Sequence, residues 1–302
     1  MEILQKVLPI ILIFVLGYVL KKTKLFGKEA ADIFLKFIFY VSMPALVFKA
    51  VSALELNFKF TFLPIIAASV FFGIYFLSFF VGKKLKFPPK TFGTFILGTM
   101  IMNTGFALPF IYSAYGTEGI ATITIFDFGN ALFVFPFGYY IAMKYGKSGK
   151  NREKGKIDYK KLLLLPPVWG LVLGLAFNLL KIPVPIAAGN FFEQIGMLTL
   201  PLIMLSIGIY FTPRVKNWSR ILIAIFIRSG LGLLLAFIFV TIFNLEGVMK
   251  AVVLVCAGSP VGYNALVFST LEDLDKEFAA NLVSFSILTG LIYVPILLFL
   301  VK

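Results

Sequence analysis

Met102-Asn103-Thr104-Gly105-Phe106-Ala107-Leu108-Pro109 and Ala257-Gly258-Ser259-Pro260-Val261-Gly262-Tyr263-Asn264 are two interruptions of one kind, each set inside a long apolar stretch. Gly and Pro stop a helix there, and Asn, Thr and Ser stand where it stops. Backbone donors and acceptors freed in this way inside a bilayer are tolerated only where they line a cavity or are buried in protein. One such break in each half of a membrane protein is the best sequence pointer to a transporter's binding site.

The rest of the chain supports a membrane reading. Of its 302 residues, 60% are hydrophobic and only 14% charged, and its mean hydropathy is +0.98. Apolar runs long enough to span a bilayer recur throughout. Histidine is absent and Cys256 is the one cysteine. Disulfides, the usual zinc and haem sites, a metalloprotease HExxH pair and serine–histidine catalysis are therefore excluded. No phosphate-binding G-x-x-x-x-G-K-[ST] loop is present. The net charge of +14 lies in loops between apolar runs, which suits lipid headgroups rather than nucleic acid. Ile3 to Leu20 lacks a basic leader and a small-residue cleavage site, so it reads as a retained span.

Ten spans are predicted, near 3–20, 30–50, 60–82, 91–113, 118–143, 161–180, 190–211, 219–243, 247–270 and 277–301. Of the 28 Lys and Arg, 20 fall in or beside the loops after spans 1, 3, 5, 7 and 9. That asymmetry places those loops in the cytoplasm and both termini outside a cell (inner) membrane. The basic, polar loop 145–160 is the expected linker between a first half, 1–144, and a second half, 161–302. Five spans per half is an odd number, so the halves must enter the membrane with opposite topology. Ser42-Met43-Pro44 in span 2 is echoed by Thr199-Leu200-Pro201 in span 7, and the two breaks occupy spans 4 and 9. The expected fold class is all-α: ten transmembrane helices in two inverted five-helix repeats, with helices 4 and 9 broken and the site at the repeat interface near the midplane.

Each break begins a new half-helix, and a helix start is positive through its unpaired N–H groups and macrodipole. Such ends favour a carboxylate or similar anion. Asn103, Thr104, Ser259 and Asn264 add hydrogen-bonding side chains. Helix kinking, with these side chains merely satisfying freed backbone, is the structural alternative. Asp127 lies deep in span 5, with Asn130 on the same helical face. A carboxylate at that depth is costly and so a functional candidate. Arg228 enters span 8 to a comparable depth from the other side. Two readings are open for this pair: an ion- or proton-coupling group, or a static buried ion pair.

The N-T-G-F-x-L-P break, the A-G-S-P-V-G-x-N break and the S-x-P of span 2 together resemble the auxin efflux carrier family, over essentially the whole chain. That family includes plant PIN-type auxin exporters and prokaryotic permeases for organic acids. The resemblance implies a fold shared with bile-acid sodium symporters and sodium/proton antiporters. Spans 1, 2, 6 and 7 would form a scaffold, often a dimerisation surface, and spans 3–5 and 8–10 a moving transport domain. It maps the family's break asparagine onto Asn103, its crossover prolines onto Pro109 and Pro260, and a span 5 asparagine onto Asn130. The absence of a long cytoplasmic loop and of histidine sets the chain apart from plant members and favours a prokaryotic permease. The candidate substrate-binding set is Asn103, Thr104, Gly105, Pro109, Asn130, Gly258, Ser259, Pro260 and Asn264. The expected activity is secondary transport of small organic anions by elevator-type alternating access, without a cofactor, driven by coupling to H+ or Na+ or by the membrane potential acting on the anion itself. The expected partners are the anion, the bilayer and a second copy of the chain, and no nucleic acid. A cation/proton antiporter, a sodium symporter, a passive pore and a membrane enzyme are the rival readings.

Overall fold

A computed structural model describes residues 2–146, 166–213 and 218–301. The greater part of the linker 145–160 and the start of span 6, 161–165, lie outside the described residues. The described residues form helices and no strand. The helices are α1 (Glu2–Lys22), α2 (Lys28–Phe37), α3 (Met43–Ser52), α4 (Phe62–Lys84), α5 (Pro89–Met100), α6 (Thr104–Phe133), α7 (Tyr139–Tyr145), α8 (Pro166–Leu179), α9 (Ile186–Met197), α10 (Thr199–Tyr210), α11 (Trp218–Ile225), α12 (Gly232–Ile242), α13 (Gly247–Ala257), α14 (Asn264–Leu271) and α15 (Lys276–Val301). Six helical stretches among the described residues are long and apolar enough to cross a membrane: Lys28–Ser52, Phe58–Lys84, Thr104–Tyr145, Ile186–Tyr210, Trp218–Ile242 and Lys276–Val301. Pro166–Leu179 and Gly247–Ala257 are shorter and also apolar. The chain is therefore a polytopic, all-helical protein.

Thr104–Tyr145 is not one rod. Gly116 has φ +57° and ψ −143°, a backbone that an L side chain rarely adopts. The chain turns there, and its end returns to the start of α5: Tyr145 stacks edge-on against Phe92, with centroids 5.1 Å apart.

Three wide π turns interrupt the helices, at Ile38–Ser42, Val134–Gly138 and Phe226–Leu231. Two have a proline at hand, Pro44 just after the first and Pro136 inside the second. A missing N–H and a ring clash force the local ladder to widen. The third carries Arg228.

Packing between the halves is reciprocal. Helix α1 lies along α10, with Phe14 against Phe211 at 5.4 Å. Helix α8 lies along α3, where Asn178 Nδ2 donates to Val51 O at 2.9 Å and Leu54 O at 2.6 Å. The two kinks meet in the middle: Thr199 Oγ1 and Ser42 Oγ are 2.8 Å apart and fully buried. The segments Ser42-Met43-Pro44 and Thr199-Leu200-Pro201 thus touch each other. On the remaining side, α4 and α13 pack on α6, α12 packs on α13, and α5 packs on α15.

Loop contacts sort the connections by side. Lys21 Nζ donates to Phe211 O at 2.6 Å, which brings the ends of α1 and α10 together. Lys59 Nζ donates to Asn244 O at 2.7 Å. Lys90 and Lys276 both bridge Asp273, at 2.6 and 3.0 Å. Hydrogen bonds from Lys90 and then Lys276 pull the Asp273 carboxyl down to about 2. This clamp is present above the ordinary carboxylate pKa and is lost only as pH falls through the depressed value.

Candidate functional site

The site is built by two broken helices that pair with each other. After α5 the backbone becomes extended at Ile101 (φ −84°, ψ 117°), and Pro260 ends the run after α13 by withholding an N–H. Met102 and Val261 then form an isolated antiparallel β-bridge. Asn103 N donates to Pro260 O at 3.1 Å, and Gly262 N donates to Ile101 O at 2.9 Å. Backbone groups freed by the breaks are satisfied largely by one another, as an apolar interior demands.

Side chains complete that bridge. Asn103 caps α6: its Oδ1 accepts from Phe106 N at 3.0 Å, while its Nδ2 donates to Val261 O at 3.1 Å. Asn is among the best N-cap residues for this reason. Ser259 Oγ accepts from Asn103 N at 2.9 Å, and Ser286 Oγ accepts from Val261 N at 3.1 Å. The Tyr293 hydroxyl donates to Gly258 O and lies 2.9 Å from Ser229 Oγ. Ser259 and Asn103 are buried, and both side chains are engaged in holding the crossing together.

Two cavities meet at the break. The larger, about 580 Å³, is lined by Met102, Asn103, Thr104, Gly105, Tyr263 and Asn264, and extends along Asp32, Lys36, Ser206 and Tyr210. The smaller, about 170 Å³, shares Thr104, Gly105 and Asn264 and adds Asp127, Asn130 and Leu171. The first turns of α6 and α14 thus open onto both cavities, with the positive dipole end of each helix facing in. Asn264 has no hydrogen-bond partner among the described residues and stands half-buried at the junction.

Asp127 faces the smaller cavity. Asn130 Nδ2 donates to its Oδ1 at 2.9 Å, and Thr104 lines the same cavity. Asn130 is buried, and its own Oδ1 has no partner. The i, i+3 relation of Asp127 and Asn130 is as the helical spacing requires.

Several of the sequence-derived residues stand elsewhere. Pro109 is buried one turn along α6 and lines a separate cavity with Tyr112, Leu200 and Pro201. Gly258, Ser259 and Pro260 are buried in the crossing and line neither cavity at the break. Asp127 and Arg228 do not pair. Arg228 is fully buried and donates to three backbone carbonyls instead. Similar depth in two helices sets height but not azimuth, and the π turn at Phe226–Leu231 turns Arg228 toward the crossing.

The sequence reading missed the wall formed by Asp32, Tyr210 and Tyr263. Tyr210 donates to Asp32 Oδ1, and the rings of Tyr210 and Tyr263 lie 4.9 Å apart. Tyr263 falls inside the second break, so its position was available; Asp32 and Tyr210 carry no comparable signal.

A family model for a membrane transport protein matches residues 2–298. An uncharacterized transporter of Methanocaldococcus jannaschii is 28% identical over 290 residues, covering 91% of each chain. An uncharacterized transporter of Methanothermobacter thermautotrophicus is 24% identical over 306 residues, covering 97% of this chain and 96% of that one. This end-to-end match places the chain in the membrane transport protein family, the auxin efflux carrier group of transporters.

Proposed function

We propose that this transporter carries small organic anions by alternating access, in an elevator-like movement of one domain against the other. The observation that carries the reading is the opening of two half-helix starts, at Thr104 and Asn264, onto cavities that meet at one point. A positive dipole end at each start and the unpartnered side-chain amide of Asn264 suit a carboxylate. The reciprocal packing of α1 on α10 and α8 on α3 supports two inverted repeats of five spans. It also supports a scaffold of spans 1, 2, 6 and 7, against which spans 3–5 and 8–10 move. The apolar outer faces of α8 and α9, with Trp169, Ile186 and Phe191 exposed, suit lipid and a homodimer contact. The positive loops set both termini outside the cell membrane. Thr104, Gly105, Asn130 and Asn264 contact substrate in this reading, and Asp127 carries the coupling proton.

Thermal stabilisation of the purified protein by malate, malonate, citrate, indole-3-acetate and cholate, with and without sodium at two pH values, tests this. A ligand that binds only the folded state at a hundredfold excess over Kd adds about 2.7 kcal/mol. A shift from at least one carboxylate is expected, followed by its uptake into proteoliposomes. The unpaired Asn130 Oδ1 beside Asp127 favours one other reading, a cation/proton antiporter. Stabilisation by protons or sodium with none from any anion would establish it instead.

The role of Asp127 has its own test. Asp127→Asn keeps an oxygen for Asn130 to bond, so the variant folds with little loss of stability. Uptake by it is expected to become independent of pH. Uptake with the wild-type pH profile would remove Asp127 from coupling.

A further inference from the structure

Helix C-termini leave carbonyl oxygens without partners and carry partial negative charge. In broken-helix transporters such ends are where a coupling cation is coordinated. Here two of them converge. Thr99 and Met100 are the last residues of α5, and Ala257 is the last of α13. Arg228 Nη1 donates to Thr99 O and to Met100 O, each at 3.1 Å, and Nη2 donates to Ala257 O at 2.5 Å. The side chain is wholly buried, and no carboxylate pairs with it among the described residues. Its charge is balanced by the two helix ends themselves. The guanidinium is a planar fork that remains protonated when buried. It reaches carbonyls of both helices at once, and the π turn at Phe226–Leu231 presents it to them.

We propose that Arg228 is the resident cation of the crossing: it occupies the carbonyl cluster that an alkali ion would otherwise fill, so the transporter neither binds nor requires sodium there. The inference rests on the transporter reading. It assigns Arg228 a positioning role, fixing the two negative ends while the positive ends at Thr104 and Asn264 stay free for an anion. It also leaves the proton, not sodium, as the coupling ion compatible with the site.

The first test uses the wild-type protein. Its melting temperature is measured in sodium, potassium and N-methylglucamine salts at equal ionic strength. Equal values are expected, and a sodium-specific rise overturns the proposal. The second test compares Arg228→Ala, Arg228→Gln and Arg228→Lys. The neutral variants are expected to melt roughly 5–15 °C below wild type, and Arg228→Lys above them. Guanidinium chloride at low millimolar concentration is expected to raise the melting temperature of Arg228→Ala while leaving wild type unchanged. A sodium-specific rise in Arg228→Ala, absent from wild type, supports the same assignment. Equal melting of the Lys and Gln variants, or no selective rescue by guanidinium, overturns it. If Arg228→Ala does not fold, the wild-type salt series and the Lys–Gln comparison still decide. A wild type insensitive to sodium that transports no carboxylate would sink the anion reading and leave the assignment of Arg228 standing.

Discussion

Gly262→Ala separates the two breaks and abolishes transport. A Cβ on Gly262 would lie 2.4 Å from Ile101 Cγ2 and 2.7 Å from Met102 O. The isoleucine methyl can rotate away, but the carbonyl belongs to the bridging strand and cannot move without opening the bridge. Opening it releases the Gly262 N to Ile101 O and Asn103 N to Pro260 O hydrogen bonds. Buried groups left unpaired cost about 1–3 kcal/mol each, and overpacking adds about 1–3 kcal/mol. A loss of at least roughly 3 kcal/mol is therefore expected, large against the marginal stability of folded proteins. Gly105→Ala is the control. Its Cβ would find nothing nearer than Asn103 Oδ1 at 3.8 Å, and alanine in a helix is favoured over glycine by about 0.5–1 kcal/mol. Melting temperature separates the two: Gly105→Ala at or above wild type, Gly262→Ala far below. If Gly262→Ala melts with the wild type, the bridge does not hold the crossing together.

The contrast between these glycines marks what a sequence can and cannot convey here. Both breaks are legible because Gly, Pro and Asn at mid-span contradict the surrounding apolar helix, and such a contradiction needs a local cause. Membrane class is legible from composition, and the shared side of Lys21 with Phe211 and of Lys59 with Asn244 agrees with the alternation of charged loops. Pairing of Met102 with Val261 is not legible, since it joins residues far apart along the chain and depends on how the helices dock. Arg228 was misdirected for a related reason. Depth along a helix follows from residue number at 1.5 Å per residue, whereas the direction of a side chain depends on every preceding turn, including the π turn at Phe226–Leu231, which no proline marks. Ser259 and Pro109 were grouped with the pocket because they sit in the motif; the motif serves the crossing as well as the cavity. Asp32 and Tyr210 were passed over because an acidic residue at a span edge and a tyrosine near a span end are ordinary features of membrane helices.

Asn103→Ala and Asn264→Ala will fail in different ways, although the two residues occupy like places in the two breaks. Asn103 bonds Phe106 N and Val261 O, both inside the crossing. Its removal leaves one buried donor and one buried acceptor unpaired and deletes the cap of α6. Two such groups at about 1–3 kcal/mol each, the capped Phe106 N being one of them, give an expected loss of roughly 2–6 kcal/mol and little folded transporter. Asn264 bonds nothing among the described residues and faces both cavities. Its truncation should change stability by less than about 1 kcal/mol, since no buried partner is orphaned. If its amide donates to a carboxylate, a charge-assisted hydrogen bond worth about 1.5–3 kcal/mol is lost, and Kd rises roughly 10–100-fold. Melting temperature without ligand and stabilisation by the best carboxylate, measured on both variants, resolve the two roles. Asn264→Ala with wild-type stability and weakened binding places the anion at the start of α14. Asn264→Ala with unchanged binding moves the anion away from that helix end. What remains would be the N-terminus of α6 as the single anchor, a geometry in which the two halves contribute unequally to a site built from matching parts.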